Sequence, residues 1–175
     1  MTRLLTSALT LCGILLGLAA VPAKAATLDV TCPGTETSTF SPGLLLTPQT
    51  VTSSLKFVFG PCQSSDPTLK SGTFAGTFTS TVACQSINNS FGTGFPTPIV
   101  WNNGRTSTFT FTFVTSNSLL GETVTVATGV VTDGEFKGDT ATAILTFATL
   151  NLLGCLAPPG VTSRSGAVVL SFVRP

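Results

Sequence analysis

Alternation of apolar residues with threonine or other small residues runs through the chain and constrains its fold more than any other feature. Residues 105–115, "RTSTFTFTFVT", place Phe109, Phe111 and Phe113 at every second position. The same period recurs at 55–59, 74–82, 124–130, 143–147 and 168–172. Successive side chains of a β-strand point to opposite faces, so this period predicts strands with one apolar face. Turn-forming sequences such as "NNG", "TDGE" and "APPG" separate them.

These strands predict an all-β fold, namely an antiparallel two-sheet β-sandwich of immunoglobulin-like architecture with about seven to nine strands. The first seven are expected at roughly 35–40, 51–60, 72–84, 97–101, 105–115, 119–132 and 135–150. Burying one phenylalanine stabilises a fold by about 2–3 kcal/mol. The phenylalanine stripe of 105–115 is therefore expected to face the core and not to form an exposed platform.

The first 25 residues have the features of an export signal. Arg3 precedes an apolar run at 11–20, and "PAKA" at 22–25 supplies small residues for a signal peptidase. We predict cleavage before Ala26, a secreted protein, and a single domain over 26–175. The apolar run is short for a membrane span and no later segment is longer, so no span is predicted in the mature chain.

Four cysteines remain after the predicted cleavage: Cys32, Cys62, Cys84 and Cys155. An even number in an exported chain indicates two disulfides. If successive strands reverse direction, Cys32 and Cys62 meet at one pole of the domain, and Cys84 and Cys155 meet at the other. This favours the pairs Cys32–Cys62 and Cys84–Cys155. Zinc is disfavoured because there is no C-x-x-C pair and no histidine.

The composition excludes several chemistries. The chain has no histidine and no tyrosine, so it has neither a Ser-His-Asp triad nor an imidazole or phenolic acid–base. We predict a non-enzyme with no catalytic residue, no cofactor and no metal. After residue 25 there are six basic and seven acidic residues, with no basic patch, so nucleic acid is not expected as a partner.

The one acidic cluster is "TDGEFKGD", with Asp133, Glu135 and Asp139. The favoured interpretation is a hairpin turn at Asp133-Gly134, with Glu135 and Lys137 as solvent-facing strand residues. A calcium loop and a glycosidase carboxylate pair are the alternatives.

Trp101 has two possible environments. A two-residue Asn103-Gly104 turn places it on the threonine face, where it could stack on a sugar ring. A three-residue loop from Asn102 to Gly104 pairs it with Arg105 and places it on the phenylalanine face. The second arrangement is favoured, because a lone large aromatic is normally anchored in a core.

Two connections are predicted as possible binding loops. "SPGLLLTP" contains Leu44, Leu45 and Leu46, and "INNSFGTGFPTP" contains Phe91 and Phe95. The first either folds over one end of the domain or presents an apolar tip to a partner. Binding residues lie preferentially on loops, which motivates the second interpretation.

Several segments of the chain are similar to those of an uncharacterised family of small secreted actinobacterial proteins. These are "FSPGLLLTPQTVT", "CQSSDPTLKSG", "IVWNNGRTST", "ATGVVTDGEFKGDTA" and "NLLGCLAPPGVTSRSG". The resemblance implies an exported protein with an immunoglobulin-like β-sandwich, and it implies no activity.

Three hypotheses about function follow. The first is a secreted non-enzymatic binding or structural protein with an unknown extracellular or cell-wall partner. The second is an extracellular carrier of a small apolar ligand, as in the enediyne-binding apoproteins of actinobacteria, whose disulfides close shorter loops than 32–62 and 84–155. The third is a secreted protease inhibitor that presents "GPCQSSDP" as its rigid loop.

Overall fold

The computed structural model describes residues 25–87 and 93–175, apart from the side chains of Ile87 and Phe113. Residues 1–24 of the predicted signal peptide lie outside the described residues. The described strands are β1 (Thr27–Leu44), β2 (Gln49–Phe59), β3 (Gln63–Ser64), β4 (Gly72–Val82), β5 (Pro96–Trp101), β6 (Thr106–Leu119), β7 (Glu122–Gly134), β8 (Thr140–Ala148) and β9 (Val161–Arg174). A one-turn helix α1 (Cys84–Ile87) follows β4, and a 3₁₀ turn (Leu152–Cys155) precedes β9.

Eight of these strands form one closed antiparallel sheet. Their order is β1-β2-β4-β5-β6-β7-β8-β9, and β9 pairs with β1, while the short β3 pairs only with β1. The prediction of an all-β fold is confirmed, but that of a two-sheet immunoglobulin-like sandwich is wrong. The physical reason lies in the long strand β1, where Gly34 pairs with Phe59 on one side and Val168 on the other. Because the first and last strands pair along most of their length, the sheet closes into an up-and-down barrel.

The inward-facing residues of the strands form the main core. Phe109 and Phe111 are both buried, with ring centroids 4.9 Å apart, and Phe109 also contacts Phe172 edge-on. The prediction that the phenylalanine stripe faces the core is confirmed for these two residues. The side chain of Phe113 lies outside the described residues.

Because every strand of the barrel is antiparallel to its neighbours, the connections divide between two poles. The turn pole consists of the loop 60–71, the connections 102–105 and 135–139, and the outer ends of β1 and β9. The leucine pole consists of the loop 45–48, helix α1, the turn 120–121 and the segment 149–160.

Each pole carries one disulfide. Cys32 is bonded to Cys62 near the turn pole, and Cys84 is bonded to Cys155 at the leucine pole. The predicted pairing is therefore confirmed, although Cys32 lies inside β1 and not before the first strand. Strand β1 begins at Thr27 and not near residue 35, because Pro33 and Gly34 interrupt the apolar period without interrupting the strand.

A second, smaller core lies under the leucine pole. It contains Phe40, Leu44, Val51, Cys84 and Cys155. Two backbone hydrogen bonds tie the pole together: Leu46 N donates to Cys155 O at 3.1 Å, and Cys84 N donates to Leu45 O at 2.9 Å. The long connections of this pole are thus held to one another and to the barrel.

Candidate ligand-binding site

The barrel encloses a cavity of about 330 Å³ whose wall is mostly apolar. Its lining includes Leu55, Phe57, Phe111, Leu145, Val168 and Leu170. An eight-stranded barrel is just wide enough either to be filled by its own side chains or to hold one small ligand. Here the space left between the inward-facing side chains makes the barrel interior the candidate site.

A small polar group interrupts this apolar wall. Ser38, Ser53 and Arg164 line the cavity, and Glu36 is fully buried next to them. Ser38 Oγ donates a hydrogen bond to Glu36 Oε1, and Ser38 is the direct partner of Arg164 in the β1–β9 register. The guanidinium carbon of Arg164 lies 4.2 Å from the centroid of the Phe147 ring, a cation–π distance.

The electrostatics of this polar group are those of a buried, oppositely charged pair. Burial raises the pKa of Glu36, while the Ser38 hydrogen bond and the charge of Arg164 act in the other direction. Burial lowers the pKa of Arg164, and the charge of Glu36 opposes that shift. Each charge therefore compensates the other in a medium where an isolated charge is costly.

Two buried oxygen atoms of this group have no hydrogen-bond partner among the described residues. They are Glu36 Oε2 and Ser53 Oγ. A buried polar atom without a partner costs about 1–3 kcal/mol. The polar end of the cavity can thus offer a hydrogen bond to a guest molecule at little further cost.

The cavity reaches the surface between β4 and β5. These strands pair only at Gly72–Trp101 and Thr73–Val100, next to the turn pole. Farther along, Phe78 of β4 and Phe95 before β5 line the cavity from opposite sides, and the Phe95 side chain is 68% exposed. This gap in the sheet is called the portal below. Residues 88–92, which precede it in the chain, lie outside the described residues.

Two prolines explain why the strands separate. Trp101 N donates to Arg105 O on the β6 side, and Asn102 N donates to Ser71 O on the β4 side, both at 2.9 Å. Along β5, even-numbered residues therefore direct their N–H groups towards β4. Pro96 and Pro98 occupy even positions and have no N–H, so β5 lacks the donors that β4 would need. The alternate prolines of "FPTPIV" are the sequence signal for this gap.

Trp101 lies in the core and not on the surface. Its side chain is 2% exposed, and its Nε1 donates to Ser107 Oγ at 2.9 Å. Gly72 makes room for the indole, since a Cβ there would lie 2.6 Å from Trp101 Cε3. Gly104 N donates to Trp101 O, and Gly104 has a positive φ of 81°. The favoured three-residue loop is confirmed, and burial removes the indole from contact with a sugar.

The predicted binding loops are placed as follows. Leu44 is fully buried, and Leu45 and Leu46 are partly buried, so this segment belongs to the leucine pole and does not form an exposed tip. Phe95 stands at the rim of the portal. Phe91 lies outside the described residues.

The predicted acidic cluster is dispersed by the β7–β8 hairpin. Asp133 is exposed, Glu135 Oε2 lies 3.2 Å from Arg105 Nη1, and Asp139 is buried. The turn spans 135–138, so the prediction of a turn at Asp133-Gly134 with Glu135 and Lys137 in a strand is wrong. Strand β7 continues through Gly134, where Glu135 N still donates to Thr106 O at 2.8 Å.

A polar cleft of about 410 Å³ lies at the turn pole. In it Arg174 Nη2 lies 2.8 Å from both carboxylate oxygens of Asp29, and Ser65 Oγ donates to Asp29 Oδ1 at 2.8 Å. Burial, followed by the charge of Asp29 and a hydrogen bond to it, raises the pKa of Asp139 to about 6. Sequence analysis missed this carboxylate pair because the two residues are far apart in the chain and only the closure of the barrel joins them.

The charged side chains of the cleft mainly pair with one another. Asp29 is 1% exposed and is engaged by Arg174 and Ser65, so its oxygens serve the fold. Arg105 Nη1 lies 3.1 Å from Asp66 Oδ2 and also pairs with Glu135. Within residues 25–87 and 93–175, no group of three or more His, Cys, Asp or Glu residues could hold a metal ion.

No protein-family model, curated protein or solved structure matches this chain. The resemblance to small secreted actinobacterial proteins therefore stays a prediction. In the part of the chain that the structure describes, no helix has the length and apolar content needed to cross a membrane.

Proposed function

We propose that this protein is a secreted, non-enzymatic binding protein that carries a small, uncharged and largely apolar ligand inside its barrel. The observation that carries this proposal is the apolar cavity of about 330 Å³ with its portal between β4 and β5. The two disulfides are compatible with an extracellular protein. Among the three hypotheses from the sequence, this geometry favours the carrier.

The wall of the cavity supports an apolar body for the ligand. Phenylalanine, leucine and valine side chains dominate the lining, and phenylalanines stand on both sides of the portal. Each Å² of apolar surface that a ligand buries contributes about 25 cal/mol before the costs of binding are subtracted. A cavity of this size is at the lower end of the range typical of small-molecule sites.

The polar end of the cavity supports an uncharged head group. Glu36 and Arg164 carry opposite charges, so a third charge brought into the interior would have no counterion. Ser53 Oγ, with no partner among the described residues, can exchange a hydrogen bond with an alcohol or a carbonyl. We therefore expect alcohols to bind more tightly than carboxylates or ammonium ions of the same skeleton.

The other two hypotheses have less support. The candidate inhibitor segment covers 60–67 of the loop 60–71, where Ser65 N donates to Asp29 O at 2.7 Å and Ser65 Oγ donates to Asp29 Oδ1 at 2.8 Å. These bonds hold the segment against the start of β1 within the turn pole. A purely structural role would explain neither the cavity nor the portal.

The test compares three compounds that have linear alkyl chains of about the same length and different head groups: decan-1-ol, decanoate and decyltrimethylammonium. Each is titrated against the protein loaded with N-phenyl-1-naphthylamine, and the loss of probe fluorescence gives its affinity. We expect decan-1-ol to bind at least about tenfold more tightly than either ion, a difference of about 1.4 kcal/mol or more.

Substitutions inside and outside the barrel test where the ligand binds. Ala143 lines the cavity, whereas Ile144 lies on the outer face of the same strand. Ala143→Phe should abolish the binding of decan-1-ol, and Ile144→Phe should leave it unchanged. Ser53→Ala should weaken the binding of decan-1-ol without lowering the melting temperature, because the lost hydroxyl has no hydrogen-bond partner among residues 25–87 and 93–175. Equal affinity in both phenylalanine variants would place the ligand elsewhere and contradict the proposal.

A further inference from the structure

The leucine pole exposes a group of large aliphatic side chains. Two lie on the β6–β7 turn, and three lie on or beside the 3₁₀ turn that precedes β9. These residues are Leu119, Leu120, Leu152, Leu153 and Leu156, with exposures that reach 94% at Leu120 and 72% at Leu153. Singly exposed leucines are ordinary, but a group at one pole of a small barrel indicates an interaction surface.

Leu120 occupies a position that disfavours leucine. Both central residues of the β6–β7 turn have positive φ, 53° at Leu120 and 84° at Gly121. Turns of this kind prefer asparagine followed by glycine, because a residue with a branched side chain is strained there. At 94% exposure, Leu120 gains no packing in return. A strained residue without a structural benefit points to a role outside the fold.

The two leucine groups are held rigidly on the same pole. Thr149 N donates to Gly121 O at 2.8 Å and so joins the β6–β7 turn to the chain that leads into the 3₁₀ turn. Asn151 Oδ1 accepts from Leu153 N at 3.0 Å and caps that turn. The Cys84–Cys155 disulfide fixes its end.

The pole carries almost no charge. Among its described residues Glu122 alone is ionisable, at the start of β7. The turn pole, in contrast, holds Asp29, Asp66, Lys70, Arg105, Asp133, Glu135, Lys137, Asp139 and Arg174. A surface without charges matches an occupant that has no net charge, and an anionic or cationic partner would find nothing to pair with.

From these observations we infer that the leucine pole docks on a zwitterionic lipid bilayer and inserts its exposed leucines at the boundary between head groups and acyl chains. Lipid requires neither a matching shape nor hydrogen bonds, and it accepts protruding aliphatic side chains. A protein partner is less well matched, because protein interfaces are anchored by tryptophan, tyrosine and arginine, and the large apolar side chains exposed among the described residues of this pole are all leucine. This inference concerns an outer surface and does not rest on the proposed ligand in the cavity.

The test is flotation of the full mature protein with phosphatidylcholine vesicles. We expect the protein to rise with the vesicles, with binding that is insensitive to salt. Leu120→Asn and Leu153→Ser should each lower the partition coefficient about tenfold, since each removes most of the apolar gain of one buried leucine. Val169→Ser, which alters an exposed residue on the outer wall of the barrel, should bind like the unmodified protein.

The choice of asparagine keeps the test independent of folding. Asparagine is favoured at positive φ, so Leu120→Asn should melt no lower than the unmodified protein. Binding that requires phosphatidylglycerol and disappears in high salt would overturn the inference, because it would make the contact electrostatic. Absence of vesicle binding would overturn it too. A dimer that Leu120→Asn disrupts in the absence of lipid would assign the pole to contact between copies of the chain.

Discussion

The two poles of the barrel are built on opposite principles. The turn pole closes one end with charged side chains that bind one another, as Arg174 binds Asp29 and Arg105 binds Asp66 and Glu135. The leucine pole closes the other end with a small apolar core and a disulfide, and it leaves leucines in solvent. One end pairs most of its charged side chains with one another, whereas the other end leaves apolar side chains in solvent.

This difference extends into the wall of the barrel. Strands β4 and β5 pair only next to the turn pole and separate towards the leucine pole, because Pro96 and Pro98 remove the donors needed there. The portal therefore opens on the half of the barrel that carries the exposed leucines. Under both proposals, an apolar ligand dissolved in lipid reaches the portal without crossing the charged end.

The largest expected effect comes from removing one disulfide at a time. The double variant Cys84→Ala/Cys155→Ala should lose about 4 kcal/mol of unfolding free energy, because it opens the longer loop, and Cys32→Ala/Cys62→Ala about 3.5 kcal/mol. Urea denaturation measures the loss. Hydrogen exchange should show that the first variant exposes amides of 149–156 and the second those of 60–64. Loss of amide protection at both poles in either variant would contradict the prediction that each disulfide stabilises only its own pole.

The next effect is a pH dependence that belongs to the turn pole. The pKa of Asp139 is raised to about 6, so its neutral form is favoured by the fold. The unfolding free energy should therefore fall as the pH rises from about 4 to about 6, by at most about 3 kcal/mol from this residue. Asp139→Asn should remove that part of the slope, which urea denaturation across the pH range measures.

The environment of Asp139 defines the control for this prediction. Asp29 and Arg174 lie against it, and Arg105, Glu135 and Lys137 line the same cleft. Asp133→Asn, which alters an exposed carboxylate on the same hairpin, should keep the original slope. A slope that survives in Asp139→Asn would show that another group is responsible, with buried Glu36 as the first candidate, since its pKa is also raised.

The smallest effect concerns the exposed ion pairs of the turn pole. Arg105→Gln removes the pairs with Asp66 and Glu135, and it should lower the melting temperature only slightly in low salt, because exposed ion pairs contribute little to stability. The loss should vanish in about 1 M salt, where exposed charges are screened. The difference in stability between Leu120→Asn and the unmodified protein should not depend on salt, because both keep these ion pairs. Thermal melts of both variants at two salt concentrations measure this difference.

Much of the fold could be predicted from the alternation of apolar residues and from the reversal of direction between successive strands. The alternation at 105–115 correctly placed Phe109 and Phe111 in the core, and strand reversal correctly paired the four cysteines. Closure of the barrel could not be predicted in this way, because the β9–β1 pairing joins the two ends of the domain and leaves no local pattern. Only 35–40 of β1 was predicted, because Pro33 and Gly34 interrupt the apolar period before it and Glu36 and Ser38 stand where the period calls for apolar residues.

The candidate site was less predictable than the fold. The carrier hypothesis could not say which residues line a cavity. A cavity depends on how side chains from different strands fill the barrel. Loop length drew attention to Leu44–Leu46, whereas the exposed leucines lie on a short turn and beside a disulfide. Leu120 before Gly121 is a detectable signal in retrospect, because glycine in a two-residue hairpin turn implies positive φ for its neighbour.

The most direct measurement of the central claim is a methyl NMR titration of the protein with decan-1-ol. Leucine and valine methyl groups report on both regions at once: Leu55, Leu145, Val168 and Leu170 line the cavity, and Leu120 and Leu153 lie on the leucine pole. Binding inside the barrel predicts saturable shifts for the cavity methyl groups and none for Leu120 or Leu153. Shifts confined to the pole, with the cavity methyl groups unchanged, would contradict it.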